Sequence, residues 1–269
     1  MLRTLVIALS LFGASAWAAG RPAGYTLVAP PRQGLAQANA VYGSIARFLT
    51  QATGAPITFH YIDNWLSYMA AVHDNTAAIY FDGPAFIGWR VAHWHDQAAV
   101  ALSGDLNFVL VTKKGGHPPL RIDDLIGRGV CAFSPPNLGT LTLDSQFPNP
   151  ARQPYIVVIH NFAEAARNII DGSCMAALEP LPVYKHQAMQ FPGKLQVADK
   201  IPGLPNQGFS LSAKVPPALR HKIIAALLSP AGRAATKPLR DMFGHKQLVR
   251  VHDATYLPYR KLLRAMAGF

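Results

Sequence analysis

Cysteine and acidic side chains are the scarce ingredients of this chain. Its 269 residues hold two cysteines, and 14 aspartates and glutamates stand against 25 lysines and arginines. Two thiols allow one disulfide at most, which rules out a multi-bridge scaffold. Past the first few residues no apolar run approaches the ~20 residues that a membrane helix needs. Catalytic signatures are missing too: there is no Gly-x-Ser-x-Gly elbow, no His-Glu-x-x-His pair and no phosphate loop. The basic residues are scattered, with no arginine-rich helix and no alternation of aromatic and basic residues, so nucleic acid is a poor partner. A formal charge of +11 instead raises the local concentration of small anions.

What is present begins with an export signal. Arg3 supplies a positive start, residues 4–12 form an apolar run, and Ala16-Trp17-Ala18 is a small-x-small cleavage site. Residues 1–18 are therefore read as a signal peptide. Neither cysteine lies at the cleavage point, so the mature chain is expected in the periplasm without a lipid anchor. In that oxidising compartment Cys131 and Cys174 are expected to pair. Two free thiols suited to a soft ligand such as arsenite are the alternative.

With half its residues hydrophobic, the remaining chain can build a substantial core. Strand-like and helix-like stretches alternate along it. Strands are expected at residues 25–29, 57–62 and 77–81, and helices at 38–52, 65–73 and 85–92. Three strand–helix units in a row imply a mostly parallel sheet with helices on both faces. The pattern then recurs: strands at 107–112, 129–133, 156–160 and 174–178, with helices at 123–126, from 140, and at 163–170. A strand at 208–213 and a helix at 216–228 follow, and the tail from 231 reads as helix and loop. Two α/β modules with extra helices at the end suggest a chain that crosses between lobes near 103–107 and returns near 204–208. The lobes would then be 19–105 with 209–269, and 106–208.

Several segments carry a family resemblance. Residues 77–86 read Ala-Ala-Ile-Tyr-Phe-Asp-Gly-Pro-Ala-Phe, a strand-to-helix turn of the form D-G-P-aromatic. Residues 123–133 read Asp-Asp-Leu-Ile-Gly-Arg-Gly-Val-Cys-Ala-Phe. Residues 163–177 include Gly172 before Ala176-Ala177, residues 208–228 form a strand and a helix, and residues 256–263 read Tyr-Leu-Pro-Tyr-Arg-Lys-Leu-Leu. In this order they resemble the phosphate/phosphite/phosphonate-binding proteins of ABC importers. That resemblance implies a two-lobed type 2 periplasmic-binding fold. Each lobe would be a mixed, mostly parallel sheet flanked by helices, and two chain segments would form the hinge. It also implies that the strands carrying Cys131 and Cys174 lie side by side. The family's Ser-Thr-Ser-Gly loop is replaced here by Ser134-Pro135-Pro136-Asn137-Leu138-Gly139-Thr140. Its two prolines have no N–H to donate, and hydroxyls remain only at Ser134 and Thr140.

Ligands of open α/β sheets sit beyond the carboxyl ends of the strands, and the candidates follow from that rule. Arg32 is a bidentate anion clamp or a solvated surface arginine. Tyr61 and Asn64 are hydrogen-bond donors, with Asn64 alternatively a helix cap. Asp82 faces a cationic group of the ligand or caps its own helix. Ser134, Asn137, Gly139 and Thr140 belong to the substituted loop. His160 ends a strand and either touches the ligand or is structural, and Glu179 precedes Pro180 at a strand end. No metal site and no cofactor are expected; His93-Trp94-His95 is the one tight histidine cluster, and its two rings diverge on a helix.

These features point to a monomeric, non-enzymatic protein that closes on a small molecule and meets an ABC permease. The alternatives are an accessory of a membrane sensor kinase, which would share the same site, and an enzyme on a related fold, for which His160 is the one titratable candidate.

Overall fold

The computed structural model describes residues 24–115, 121–264, 266 and 268–269; Arg3, the apolar run and the cleavage site lie outside the described residues. Strand β1 (Tyr25–Val28) is followed by a helical run, Leu35–Ala38, a wider π-type turn at Asn39–Gly43, and Ser44–Thr53. Gly54 ends that run at φ 73°, a conformation glycine adopts without a Cβ penalty. Next come β2 (Ile57–Phe59), the helix Trp65–His73, β3 (Ile79–Asp82), the helix Pro84–Trp94 and β4 (Gln97–Leu102).

The short β5 (Asp105–Leu106) leads into a second sheet built from β6 (Phe108–Lys113), β7 (Gly129–Ala132), β8 (Tyr155–Val158), β9 (Ala176–Pro180) and β10 (Leu195–Lys200). Its helices are Leu138–Asp144, Phe162–Asp171 and Leu181–Gln190. The chain returns through β11 (Leu204–Pro205) to β12 (Gly208–Leu211), the helix Pro217–Leu228 and a last strand, β13 (Leu248–Arg250).

The first sheet has the order β13-β4-β12-β3-β1-β2 and the second β10-β6-β9-β7-β8. Parallel pairing is confined to β1 with its two neighbours and β7 with its two. The strands that arrive from or return to the other sheet pair antiparallel. Both sheets are therefore mixed, with less parallel pairing than the strand–helix alternation suggests. β5 and β11 pair with each other and with neither large sheet, so both crossings pass through one two-stranded ribbon.

The apolar residues sort by sheet. Leu27, Ile45, Leu49, Phe81 and Phe209 pack on one face of the first sheet, and Val109, Val111, Ala165 and Ile169 on one face of the second. The disulfide joins Cys131 of β7 to Cys174 ahead of β9, with the Cα atoms 5.7 Å apart. The helix Pro84–Trp94 is buried along most of its length, because the C-terminal turn Leu257–Leu263 lies against it. Gly88 makes that contact possible, since a Cβ there would stand 2.3 Å from the Tyr256 carbonyl oxygen. Leu262 of the same turn packs against apolar clusters of both lobes. The terminus thus touches both sides.

Candidate functional site

A cavity of about 510 Å3 opens between the two sheets. It lies beyond the carboxyl ends of β3, β7 and β9, where the strand directions of an open sheet leave a crevice. The first lobe supplies Trp65, Phe86 and Phe243, the second supplies Phe108, Phe162 and Leu181, and the ribbon adds Asp105 and Leu106. Trp65 and Phe86 lie nearly parallel, 6.4 Å apart at 15°.

The polar groups are few. Arg32 borders the cavity with its guanidinium 5.9 Å from the Phe243 ring centre. Among the described residues it takes part in no ion pair. Gln207 also borders the space, and its buried Oε1 has no hydrogen-bond partner among the described residues. The helix Pro84–Trp94 starts at the wall without a side-chain cap, and Ala85 and Phe86, whose amides begin it, border the cavity.

Of the ten candidate binding residues, the structure brings Arg32, Asn137 and Gly139 together at this wall. Asn137 Oδ1 accepts the Gly139 amide at 2.9 Å, which leaves its Nδ2 free to donate to a bound molecule. The other candidates are placed elsewhere. Tyr61 donates to the Gln33 carbonyl at 3.1 Å and borders a separate surface hollow. Asn64 accepts the Ser67 amide at 2.8 Å and is the cap of its helix. Ser134 is exposed and outside the cavity wall. Thr140 donates its hydroxyl to the Phe133 carbonyl at 2.5 Å. The His160 side chain is 84% exposed, with Nδ1 3.6 Å from Glu164.

Asp82 and Glu179 are both buried away from the cavity wall. Asp82 receives N–H bonds from Arg90 at 2.8 and 3.2 Å and the Tyr68 hydroxyl at 2.5 Å. It caps no helix, because Gly83 is the cap residue of Pro84–Trp94. Burial opposes the Arg90 charge, but Asp82 outweighs it, so the guanidinium pKa stands above its ordinary value. The Arg90 guanidinium also sits 3.9 Å from the Tyr80 ring centre and donates to Ser210. Glu179 points to the opposite face of β9 from the cavity-lining Leu178, as alternation along a strand requires. Its one hydrogen bond among the described residues comes from Gln187 at 3.1 Å, and burial pushes its pKa up to about 7.

Residues 27–256 match the family model described as "ABC transporter, phosphonate, periplasmic substrate-binding protein". The chain belongs to that family. Its members are substrate-binding proteins rather than enzymes, and this one is a periplasmic solute-binding protein whose second lobe carries a disulfide. No curated protein matches it in sequence. Among solved structures it is similar to PhnD1 of Prochlorococcus marinus in complex with methylphosphonate. The TM-score is 0.66 at 11% identity, over 92% of this chain and 100% of that one. XAC2383 of Xanthomonas citri bound to ATP superposes with a TM-score of 0.68 at 7% identity, over 88% and 94% of the two chains. The phosphonate-transporter binding component PA3383 of Pseudomonas aeruginosa gives 0.62 at 11% identity, over 90% and 86%. At such identities these likenesses establish the two-lobed α/β fold and leave the ligand to be argued from this chain's own cavity.

The aromatic wall was not among the residues singled out from the sequence. Phe86 sat inside a quoted motif and Trp65 at a helix start, yet an aromatic residue at helical spacing reads equally well as core. Phe243 lies in the tail, where no pattern indicated a return to the cleft.

Proposed function

We propose that the protein captures a small acidic solute in the periplasm and hands it to the permease of an ABC importer. The observation that carries this reading is Arg32, a guanidinium with no ion-pair partner among the described residues, at the wall of a cleft between two lobes. Asn137 and the first amides of the Pro84–Trp94 helix stand ready to complete the oxyanion's hydrogen bonds. The two lobes, 19–105 with 209–269 and 106–208, close on a ligand that touches both, so binding shifts the hinge equilibrium toward the closed form. Support for a hinge there comes from the β5–β11 ribbon, through which both crossings pass. Solved proteins of this fold hold methylphosphonate in one case and ATP in another, so the fold admits acidic ligands of very different bulk. The protein acts as a monomer.

A thermal-shift panel of phosphate, phosphonates and carboxylic acids tests the reading. A bound acid at 100 times its dissociation constant adds about 2.7 kcal/mol, and Arg32→Gln is expected to abolish the shift while leaving the ligand-free midpoint unchanged. If no acid raises the midpoint, the reading fails. The secreted protein is expected to begin at Ala19, which N-terminal sequencing checks.

A further inference from the structure

We infer that the natural ligand is a monoanionic acid with a bulky apolar body, aromatic or long-chain, rather than a bare oxyanion or a short phosphonate. The inference rests on the proposed reading of the cleft as an acid-binding site and names the class of acid.

Size is the first argument. A cavity of about 510 Å3 falls in the ~300–1,000 Å3 range of sites that enclose drug-sized molecules. An oxyanion of five heavy atoms would leave most of it to water, and water is poorly held by this lining. Trp65, Phe162 and Phe243 are only partly covered by the protein and turn surface toward the space. Exposed aromatic surface from both lobes is what an apolar ligand body covers on closure, and what a hydrated dianion leaves bare.

Charge is the second argument. Among the described residues Arg32 is the one lysine or arginine at the wall, matching one negative charge bidentately; His245 also borders the cavity, with its Nε2 engaged by the Asn206 side-chain amide at 3.0 Å. The hydroxyls that would spread a second charge are spent: Thr140 donates to Phe133, and Ser134 stands outside the wall. Nor is there a carboxylate for a ligand amine on the two strands where one was expected. Asp82 is saturated by Arg90 and Tyr68, and Glu179 lies on the far face of its sheet. Asp105 borders the cavity from the ribbon, exposed to solvent. An aminoalkyl phosphonate therefore finds no buried partner for its cation, whereas an aryl- or alkyl-substituted acid finds a partner for each of its parts.

Titration calorimetry on the mature protein tests this with phosphate, methylphosphonate, 2-aminoethylphosphonate, 2-phenylethylphosphonate, 3-phenylpropionate, 3-phenylpropanol and phenylethyltrimethylammonium. Each buried methylene adds about fourfold in affinity, so the phenyl-bearing acids are expected to bind at least ~100-fold more tightly than methylphosphonate. Phe243→Ser is expected to erase most of that difference, and the thermal midpoint of each variant shows that it folds. If methylphosphonate, aminoethylphosphonate or phosphate equals the phenyl acids, the inference is overturned and acid binding survives. If the alcohol or the ammonium ion binds as tightly as the acids, the acidic head is wrong and both readings fall. Binding by none of the acids sinks the proposed function itself.

Discussion

Asp82 ends β3 in one lobe and Glu179 stands one residue from the end of β9 in the other; both carboxyls are fully shielded from solvent. The first lobe surrounds its carboxylate with charge. Arg90 bridges Asp82 and Asp96, with Nε 3.4 Å from Asp96 Oδ2, and Asn75 and the Ala213 amide hold Asp96 from the other side. Burial pushes the Asp96 carboxyl up in pKa, with Arg90 working against it. Among the described residues the second lobe gives Glu179 one amide and no cation, and is tied instead by the Cys131–Cys174 bond. A buried charge is tolerated where a counter-charge and hydrogen bonds repay its desolvation. Where they are lacking, burial favours the protonated form. The two lobes show both outcomes in one chain.

The comparison breaks hardest at Arg90. Arg90→Leu leaves Asp82 and Asp96 buried with no cation, and is expected to cost about 3–5 kcal/mol, a fall in melting midpoint of roughly 10 °C. Asp82→Asn, which keeps the shape and removes a charge, is expected to cost less, because Asp96 still faces Arg90. Equal losses in the two variants would mean that packing, and not charge, decides the first lobe.

In the second lobe the staple is covalent. It closes 43 residues of chain, worth about 4 kcal/mol in the chain-entropy account. The Cys131→Ser, Cys174→Ser double variant is expected to lose up to that much. Hydrogen exchange should show the loss concentrated in β7 to β9, with β1 to β3 little changed.

The smallest effect is the one that titrates. Folding raises the Glu179 pKa from 4.5 to about 7, so the folded chain holds this proton more tightly than the unfolded one. The contribution to stability is therefore fully present below about pH 4.5 and is lost as the pH rises through about 7. Over that window the loss is roughly 3 kcal/mol. Glu179→Gln keeps the contact with Gln187 and removes the ionisation, so its stability relative to the parent should climb between pH 5 and 8. A pH-independent difference between the two would place the Glu179 charge in contact with water.

Much of the fold was legible beforehand. The helix expected at 65–73 is observed as Trp65–His73, because Asn64 caps it and Asp74 follows its end. Most strands expected of β1 to β9 lie within a few residues of their places, and the two crossings were read near the positions where β5 and β11 form. β4, β10 and β13 left no mark. β4 is Gln-Ala-Ala-Val-Ala-Leu, a run of alanines with neither alternation nor strand preference, and it becomes a strand because β12 and β13 flank it. β13 is three residues long and borrows its register from β4.

The site was legible only as far as strand ends reach. Arg32, Asn137 and Gly139 follow strands and border the cavity, whereas Tyr61, Asn64, Ser134, Thr140 and His160 also follow strands and are turned elsewhere. The rule of carboxyl ends locates a crevice without saying which side of a turn faces it, and a residue's neighbours settle that. Asp82 shows the difference most sharply. Its sequence context, a strand ending in Asp-Gly-Pro, fits a ligand contact and a helix cap equally. Arg90, eight residues on and brought beside it by the helix, makes it neither.

By itself the sequence determined the alternation of strands and helices, the family and the presence of a single possible disulfide, since these rest on local periodicity, chain order and residue identity. The tertiary structure alone decided which carboxylates are neutralised, that the C-terminal turn bridges both lobes, and that the cleft is walled by aromatic rings from distant segments. Burial, charge pairing and cavity lining depend on which surfaces meet across the fold, and no stretch of sequence contains both sides of such a meeting.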